Sequence, residues 1–232
     1  MDSDWDSLAV AHRHQRCPKH VLGGRVQQCD EPIWQRIQNG YKRENVFVNI
    51  PYVPEYRPFA AAIIATLLKV GLRPKLASFV SRGEHRLCKI CELMQVCRYC
   101  ITDLSYPELQ NMPFELGYSL ALGRQVHSFV LIDEKFTKDR KGAKVKKFLS
   151  QISNIQGVVE PITYDKSPEK LIRELLKRIR DDIPEVIVAQ KRDELVKDIM
   201  VVSEMVAEAA ADDNLDEVVK YWEYELNKEK KS

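Results

Sequence analysis

The run Asn45-Val-Phe-Val-Asn-Ile50 is rich in β-forming residues and stops at Pro51. The following stretch from Arg57 to Val70 carries apolar residues at helical spacing, and Gly71 then acts as a helix stop. The sequence therefore predicts a strand followed by a helix. This unit decides the fold, because strand and helix continue to alternate after it.

Four further strands follow the first, each separated from the next by a helical segment. Pro161 interrupts the last of them, which favours a place at the edge of the sheet. Five such alternations predict a parallel sheet covered on both faces. The further predicted strands are Arg73–Val80, Tyr99–Asp103, His127–Asp133 and Gly157–Tyr164; the further predicted helices are Glu84–Val96, Pro113–Leu122, Val145–Ile152 and one capped at Ser167.

Two segments flank this α/β region, which we place at residues 45–183. Residues 1–44 form an N-terminal arm that contains Cys and His, and residues 184–232 predict an acidic helical hairpin. The hairpin holds thirteen acids and seven bases, a net charge of −6, which leaves +8 on residues 1–183 within a total of +2. This division predicts a basic α/β domain and an acidic helical extension.

Composition excludes several classes of protein. A hydrophobic fraction of 44% is typical of globular chains, and no apolar run approaches the ~20 residues that a bilayer crossing needs. The N-terminus is acidic where a secretion signal would be basic, so we expect a cytoplasmic protein with reduced cysteines. Neither a Gly-x-Gly-x-x-Gly motif nor a P-loop occurs, which argues against ordinary dehydrogenases and NTPases. A net charge near zero gives no reason to expect a nucleic-acid or membrane partner.

Polar side chains cluster where predicted strands end, which is where ligands bind in open parallel sheets. Glu115 lies just after Pro113, which suits the first position of a helix and would place Glu115 in the first turn. One interpretation is a helix-capping acid; the other is a catalytic carboxylate that works with Asp103 on a sugar cation. The remaining candidates, all for substrate binding, are Asn49, Pro51, Tyr52, Ser105, Asn111, Met112 and Tyr118.

Two runs carry a family resemblance. Cys97-Arg-Tyr-Cys-Ile-Thr-Asp-Leu-Ser, followed after a spacer by Asn111-Met-Pro-Phe-Glu-Leu-Gly-Tyr-Ser-Leu-Ala-Leu-Gly, resembles the signature of nucleoside 2-deoxyribosyltransferase-like proteins, which are similar in fold to TIR domains. Val46-Phe-Val-Asn-Ile-Pro-Tyr fits the first strand and loop of that superfamily. The resemblance covers about residues 45–133. It implies a flavodoxin-like (Rossmann-like) three-layer α/β fold, here with a C-terminal helical hairpin.

The resemblance also implies a chemistry. In the deoxyribosyltransferases the glutamate of the Glu-Leu-Gly run is the nucleophile that takes the sugar, a role that falls on Glu115, and Asp103 would hold the sugar or base. We expect an N-glycosidase or N-glycosyl transferase without a cofactor that acts on a nucleotide or nucleoside. NAD is favoured because three arginines, Arg57, Arg82 and Arg98, could meet a pyrophosphate.

Two alternatives remain open. The same crevice could bind a nucleotide without turnover and signal through the C-terminal helices. The chain could also be an assembly module whose hairpin, residues 184–232, self-associates. Enzymes of the resembled superfamily often complete their sites across subunits, and a homo-oligomer is therefore expected.

Cysteine and histidine spacing leaves a zinc site undecided. Cys88, Cys91, Cys97 and Cys100 are separated by gaps that fit two zinc knuckles poorly, and buried small side chains are the preferred interpretation. The arm residues His14, Cys17, His20 and Cys29 are suitable ligand types in a spacing that matches no standard finger. No metal is expected at the site of Glu115 and Asp103.

Overall fold

The computed structural model describes residues 42–76, 86–106, 111–121, 128–134, 160–165, 167–183, 186, 192–209 and 219. Within these residues, five parallel strands form one sheet, and helices cover both of its faces. The strands are β1 (Lys42–Asn49), β2 (Arg73–Lys75), β3 (Cys97–Asp103), β4 (Ser128–Asp133) and β5 (Ile162–Tyr164). The helices are α1 (Arg57–Lys69), α2 (Arg86–Val96), α3 (Asn111–Ala121), α4 (Pro168–Asp182) and α5 (Arg192–Ala209), and a 3-10 turn, Pro54–Tyr56, precedes α1.

The strand order is β2-β1-β3-β4-β5, and every neighbouring pair is parallel. This is the flavodoxin-like order, so the predicted fold class is confirmed. The chain moves outward from β1 to β2 and then returns past β1 to β3. Ligands of such sheets bind at this reversal, beyond the carboxyl ends of β1 and β3.

Alternation along the strands builds two cores. Val46 and Val48 of β1 and Ile101 of β3 face the layer formed by α1, α4 and α5. Phe47 and Cys100 face the opposite layer, where α2 packs. Successive side chains of a strand point to opposite faces of the sheet. Neighbouring residues of one strand therefore belong to different cores.

Helix α5 completes the first of these cores. Its apolar residues Leu195, Val196, Ile199 and Val206 are buried in the same cluster as α1 and α4, against which α5 packs. The acidic segment that begins at residue 184 therefore contributes its first helix to the core of the α/β domain. Val219 is the one described residue of the second predicted helix, and it is buried in the same cluster.

Two predicted helix ends have the expected structure. Helix α1 closes with Gly71 at φ 82°, and the amides of Gly71 and Leu72 donate to the carbonyls of Leu68 and Leu67 at 3.0 and 2.8 Å. This is the Schellman pattern, which favours glycine. Helix α4 begins with Pro168 after Ser167, whose hydroxyl accepts a hydrogen bond from the amide of Lys170 at 3.3 Å.

Several element boundaries differ from the predictions; strand β2, for example, ends at Lys75 and not at Val80. Strand β1 begins at Lys42, so it extends into the predicted arm, and β3 begins at Cys97 rather than Tyr99. Strand β5 lies at the sheet edge as predicted and begins directly after Pro161. The predicted helix 145–152 and residues 1–41 lie outside the described residues. Within the parts of the chain that are described, no helix has the length and apolar character needed to cross a bilayer.

Candidate functional site

The carboxyl ends of β1 and β3 lie side by side at the reversal of strand order. Asn49, the last residue of β1, is in register with Thr102, and Asp103 ends β3. Both predicted polar strand ends therefore reach the edge of the sheet where ligands bind in this fold. Asn49 and Asp103 are 4% and 0% exposed.

Register sends these two side chains to opposite faces. Asn49 lies two residues after Phe47, so its side chain points to the same face of the sheet, toward α2 and α3. There its Nδ2 donates to the carbonyl of Met112 at 3.3 Å. Asp103 has the parity of Ile101 and extends toward the α1, α4 and α5 layer.

Glu115 lies on the same side of the sheet as Asn49. Its helix α3 packs against β3 and β4, and Tyr118 of α3 contacts the core beneath α2. Met112, Glu115 and Ser119 share the buried face of α3, and Glu115 is 5% exposed. The hydrogen bond from Asn49 to Met112 thus fixes the start of α3 at the end of β1, one helical turn before Glu115.

Helix α3 begins two residues earlier than predicted. It starts at Asn111, so Pro113 is its third residue, and Glu115 lies beyond the first turn. Pro113 is tolerated there because the first amides of a helix have no partner within the helix. The prediction of a first-turn acid is wrong, and the helix-capping interpretation of Glu115 no longer applies.

Asp103 is the acceptor of a buried hydrogen-bond network. Its Oδ2 accepts the hydroxyls of Tyr56 at 2.5 Å and Tyr164 at 2.6 Å, and its Oδ1 accepts the amide of Ser105 at 2.7 Å. Both carboxylate oxygens are therefore occupied by groups of the protein. With no exposed surface, Asp103 offers no oxygen to a ligand in this arrangement.

The network extends from Asp103 to the ends of β4 and β5. The Asp133 amide donates to Ser105 Oγ at 2.7 Å, and Ser105 Oγ lies 3.3 Å from the Tyr164 hydroxyl. Ser105 Oγ accepts a hydrogen bond from the Asp133 amide, so its hydroxyl is available to donate to the Tyr164 oxygen. The Tyr164 hydroxyl in turn donates to Asp103. Such chains strengthen each of their hydrogen bonds.

Burial dominates the ionisation of this network. It raises the pKa of Asp103, although the hydrogen bonds from Ser105, Tyr164 and Tyr56 act in the opposite direction. Burial, followed by the charge of Asp103, also raises the pKa values of Tyr56 and Tyr164 well above the ordinary tyrosine value. Both tyrosines therefore keep their protons and act as donors.

Aromatic rings enclose the network. The Tyr56 ring lies 5.6 Å from that of Phe59 and 5.9 Å from that of Tyr106, and Phe59 lies 5.4 Å from Tyr164. Tyr56 and Tyr164 are each 1% exposed. The sequence predictions missed both tyrosines, as well as Asp133. The strand-end positions of Tyr164 and Asp133 are a signal that could have found them, whereas Tyr56 is identified only by its contact with Asp103.

The other predicted binding residues are mostly enclosed. Ser105 is 0% exposed and belongs to the Asp103 network, whereas Tyr52 is 43% exposed at the carboxyl edge. Pro51 and Met112 are buried, and Tyr118 is half-buried with its hydroxyl accepting from Gln95 at 2.9 Å. Asn111 begins α3, and its side chain is outside the described part of the chain.

Arg57 and Arg98, the two described members of the three predicted arginines, lie at opposite ends of the strands. Arg57 begins α1 after the 3-10 turn, near the carboxyl edge. Arg98 is the second residue of β3, about 16 Å along the strand from Asp103, and its guanidinium lies 5.2 Å from the Tyr99 ring centre. Arg98 is therefore too far along β3 to meet a ligand at the carboxyl edge, and that prediction is wrong. Arg82 lies outside the described residues.

The described cysteines lie inside the core. Cys91, Cys97 and Cys100 are buried, and none of them forms a disulfide. In the ranges that the structure describes, no group of three or more His, Cys, Asp and Glu side chains could hold a metal ion. The arm residues His14, Cys17, His20 and Cys29, and the side chain of Cys88, fall outside those ranges.

Comparisons of the chain with protein-family models, with curated proteins and with solved structures gave no match. The chemistry of the site is therefore inferred from its own residues.

Proposed function

We propose that the protein binds a nucleotide or nucleoside beyond the ends of β1 and β3 and cleaves its base–ribose bond. The observation that carries this proposal is the position of Glu115. A largely buried carboxylate lies one helical turn after Met112, and Met112 is joined to Asn49 at the point where ligands bind in this fold. The resemblance to deoxyribosyltransferase-like proteins supports the same residue.

Glu115 suits the chemistry of a sugar cation. A carboxylate oxygen can donate an electron pair to C1′ as the bond to the base nitrogen breaks, and the base leaves with that bonding pair. Exclusion of water strengthens the attraction between the carboxylate and the developing positive charge. Water or a second base then attacks C1′ and releases Glu115, which yields hydrolysis or transfer.

The placement of Asp103 bears on the substrate. Of the two acids predicted for the reaction, only Glu115 lies on the face of Asn49, whereas Asp103 is enclosed on the other face. A purine or pyrimidine leaving group gains from protonation as it departs, but a pyridinium base such as nicotinamide leaves as a neutral molecule without a proton. A site with a single reacting acid therefore favours an NAD-like substrate.

The decisive experiment measures base release. Purified protein is incubated with NAD and with a panel of nucleosides, and the released bases are separated and quantified. Glu115→Gln removes the nucleophile, and Glu92→Gln is the matched control because Glu92 is a half-buried acid on the neighbouring helix α2. Release by the wild type and by Glu92→Gln, but not by Glu115→Gln, supports the proposal. Tight binding without release would exclude catalysis.

A non-catalytic nucleotide sensor is the second candidate. The loop after β1 leads through the turn Pro54–Tyr56 directly into α1, and α1 packs against α5. A ligand that displaces this loop would therefore act on the C-terminal helix. Nucleotide binding that changes hydrogen exchange in α5 while no base is released would favour this role.

Self-association of the chain is a separate proposal, which concerns the outer face of α5. Val201 and Met205 lie four residues apart on α5 and are 59% and 48% exposed. Residues at this spacing share one face of a helix, so α5 presents an apolar pair to solvent while its other face is buried against α1. We propose that a second copy of the chain covers this pair.

A further inference from the structure

We propose that Tyr56 is a positioning residue of the site. Through Asp103 it fixes the loop 50–53, which joins the end of β1 to the 3-10 turn and carries Tyr52 at the carboxyl edge. Asp103 in this proposal is a buried anchor and makes no contact with the ligand. The part that concerns ligand affinity rests on the proposed nucleotide function; the part that concerns the loop does not.

Asp103 has the properties of an anchor. It is 0% exposed, and three donors of the protein already occupy its two oxygens. These donors come from the turn before α1, from the end of β3 and from the end of β5. A single carboxylate thus joins three segments of the edge where the ligand is expected, and Ser105 extends the link to β4.

The loop is held at both of its ends. At the first end, Asn49 is paired in the sheet and donates to the carbonyl of Met112 at 3.3 Å. At the second end, the amide of Tyr56 donates to the carbonyl of Val53 at 3.0 Å, and its hydroxyl donates to Asp103 at 2.5 Å. Only a few residues separate these two attachments, so Tyr52 has little freedom while both persist.

The two tyrosines that share Asp103 Oδ2 differ in what else holds them. Tyr164 belongs to β5 and is in register with Asp133 of β4, so the sheet keeps it in place without its hydroxyl. Tyr56 lies in a single 3-10 turn outside the sheet, and its hydroxyl crosses from that turn to β3. Loss of the Tyr56 hydroxyl should therefore release the loop, whereas loss of the Tyr164 hydroxyl should not.

The experiment compares Tyr56→Phe with Tyr164→Phe, which each remove one hydroxyl from the same carboxylate oxygen. Tyr99→Phe is the control, because Tyr99 is another buried tyrosine and lies on β3 four residues before Asp103. Amide exchange across residues 50–56 should rise roughly tenfold in Tyr56→Phe alone, the effect expected for losing one hydrogen bond to a charged group. Equal exchange across this segment in all three variants would overturn the proposal.

Ligand affinity gives a readout that general destabilisation does not produce. With NAD as the probe, Tyr56→Phe should weaken binding about tenfold and leave the turnover of bound NAD unchanged, while Tyr164→Phe stays within about twofold of the wild type. Equal weakening in the two variants would contradict the positioning role. If the wild type binds neither NAD nor a nucleoside, the proposed function fails, and the exchange experiment still decides the role of Tyr56.

Ser105→Ala keeps the test available if Tyr56→Phe does not fold. The substitution removes the hydroxyl that links Asp133 to Tyr164. It retains the hydrogen bonds that the Ser105 amide and the Tyr56 hydroxyl donate to Asp103. Exchange should rise at the ends of β4 and β5 and stay unchanged across residues 50–56. Faster exchange in that loop would show that Tyr56 and Asp103 do not hold it, and would overturn the proposal.

Discussion

Asp103 and Glu115 lie on opposite faces of the sheet. Asp103 extends toward α1 and α4, where Tyr56 and Tyr164 donate to it, and Glu115 lies on a helix that packs on the other face beside α2. The two acids that the sequence paired as partners in one reaction are therefore separated by the strands themselves. This separation assigns the proposed chemistry to Glu115 and an internal role to Asp103.

Asp103→Asn should destabilise the protein most strongly in acid. The amide nitrogen of asparagine would face either the two tyrosine hydroxyls or the amide of Ser105, which are all donors to Asp103. The free energy of unfolding should fall by about 1–3 kcal/mol, the cost of an unsatisfied buried polar group. Urea unfolding of both proteins measures this difference.

The pH dependence of that difference has a defined sign. The pKa of Asp103 is raised in the folded protein, so between its unfolded value of about 3.9 and its folded value the folded state binds more protons. The contribution of Asp103 to the free energy of unfolding of the wild type is fully present below the unfolded pKa. It is lost as the pH rises through the folded pKa. The difference between wild type and Asp103→Asn should therefore shrink as pH rises; a difference that widens would contradict the shift.

Asn49→Ala should weaken ligand binding and slow base release together. The substitution removes the Nδ2 donor to the Met112 carbonyl, which fixes the start of α3 relative to β1. Because Glu115 follows one turn later, a shift of about 1 Å in its position is enough to cost roughly 100-fold in rate. Steady-state kinetics on NAD measure the effect, and unchanged kinetics would show that this bond does not position Glu115.

Gly71→Ala should destabilise the protein without affecting the site. Gly71 has φ 82° in the Schellman turn that ends α1, where a side chain is strained. We expect the free energy of unfolding to fall by about 1 kcal/mol. Thermal unfolding measures this loss. Gly117→Ala serves as the comparison, since a Cβ at Gly117 of α3 meets nothing within 4 Å and an alanine favours helix.

Ile199→Ala should destabilise the whole α/β domain. Ile199 of α5 is 0% exposed within the cluster that also contains α1 and α4. Removal of its side chain should cost about 2–5 kcal/mol, and unfolding should remain a single transition because the core is shared. A separate early transition confined to α5 would show that the helix folds independently.

Charge on the outer face of α5 should prevent self-association. Val201→Glu combined with Met205→Glu places two carboxylates on the exposed apolar pair, and sedimentation velocity compares the variant with the wild type. The wild type should sediment as an oligomer and the variant as a monomer. Truncation after Ile183 is a poorer test, because it also removes the buried residues of α5 from the core. A wild-type monomer would exclude this interface.

Local patterns in the sequence were sufficient for the fold. The alternation of strand and helix, the stop at Gly71, the cap at Ser167 and the edge strand after Pro161 each depend on residues near one another in the chain. For the same reason the strand ends Asn49 and Asp103 could be predicted as neighbours at one edge of the sheet. The buried face of α5 also follows from its helical spacing, but the helix that covers it does not.

Tertiary structure alone decided how the site is divided. Asn49 is in register with Thr102, and Asp103 is one residue further along, so the two side chains point to opposite faces. No local pattern specifies this register, and none joins Tyr56 to a carboxylate 47 residues later or Tyr164 to one 61 residues earlier. Composition and periodicity determined which polar residues reach the carboxyl edge. The pairing of strands, with its period of two, decided which of them can meet a ligand and which are enclosed.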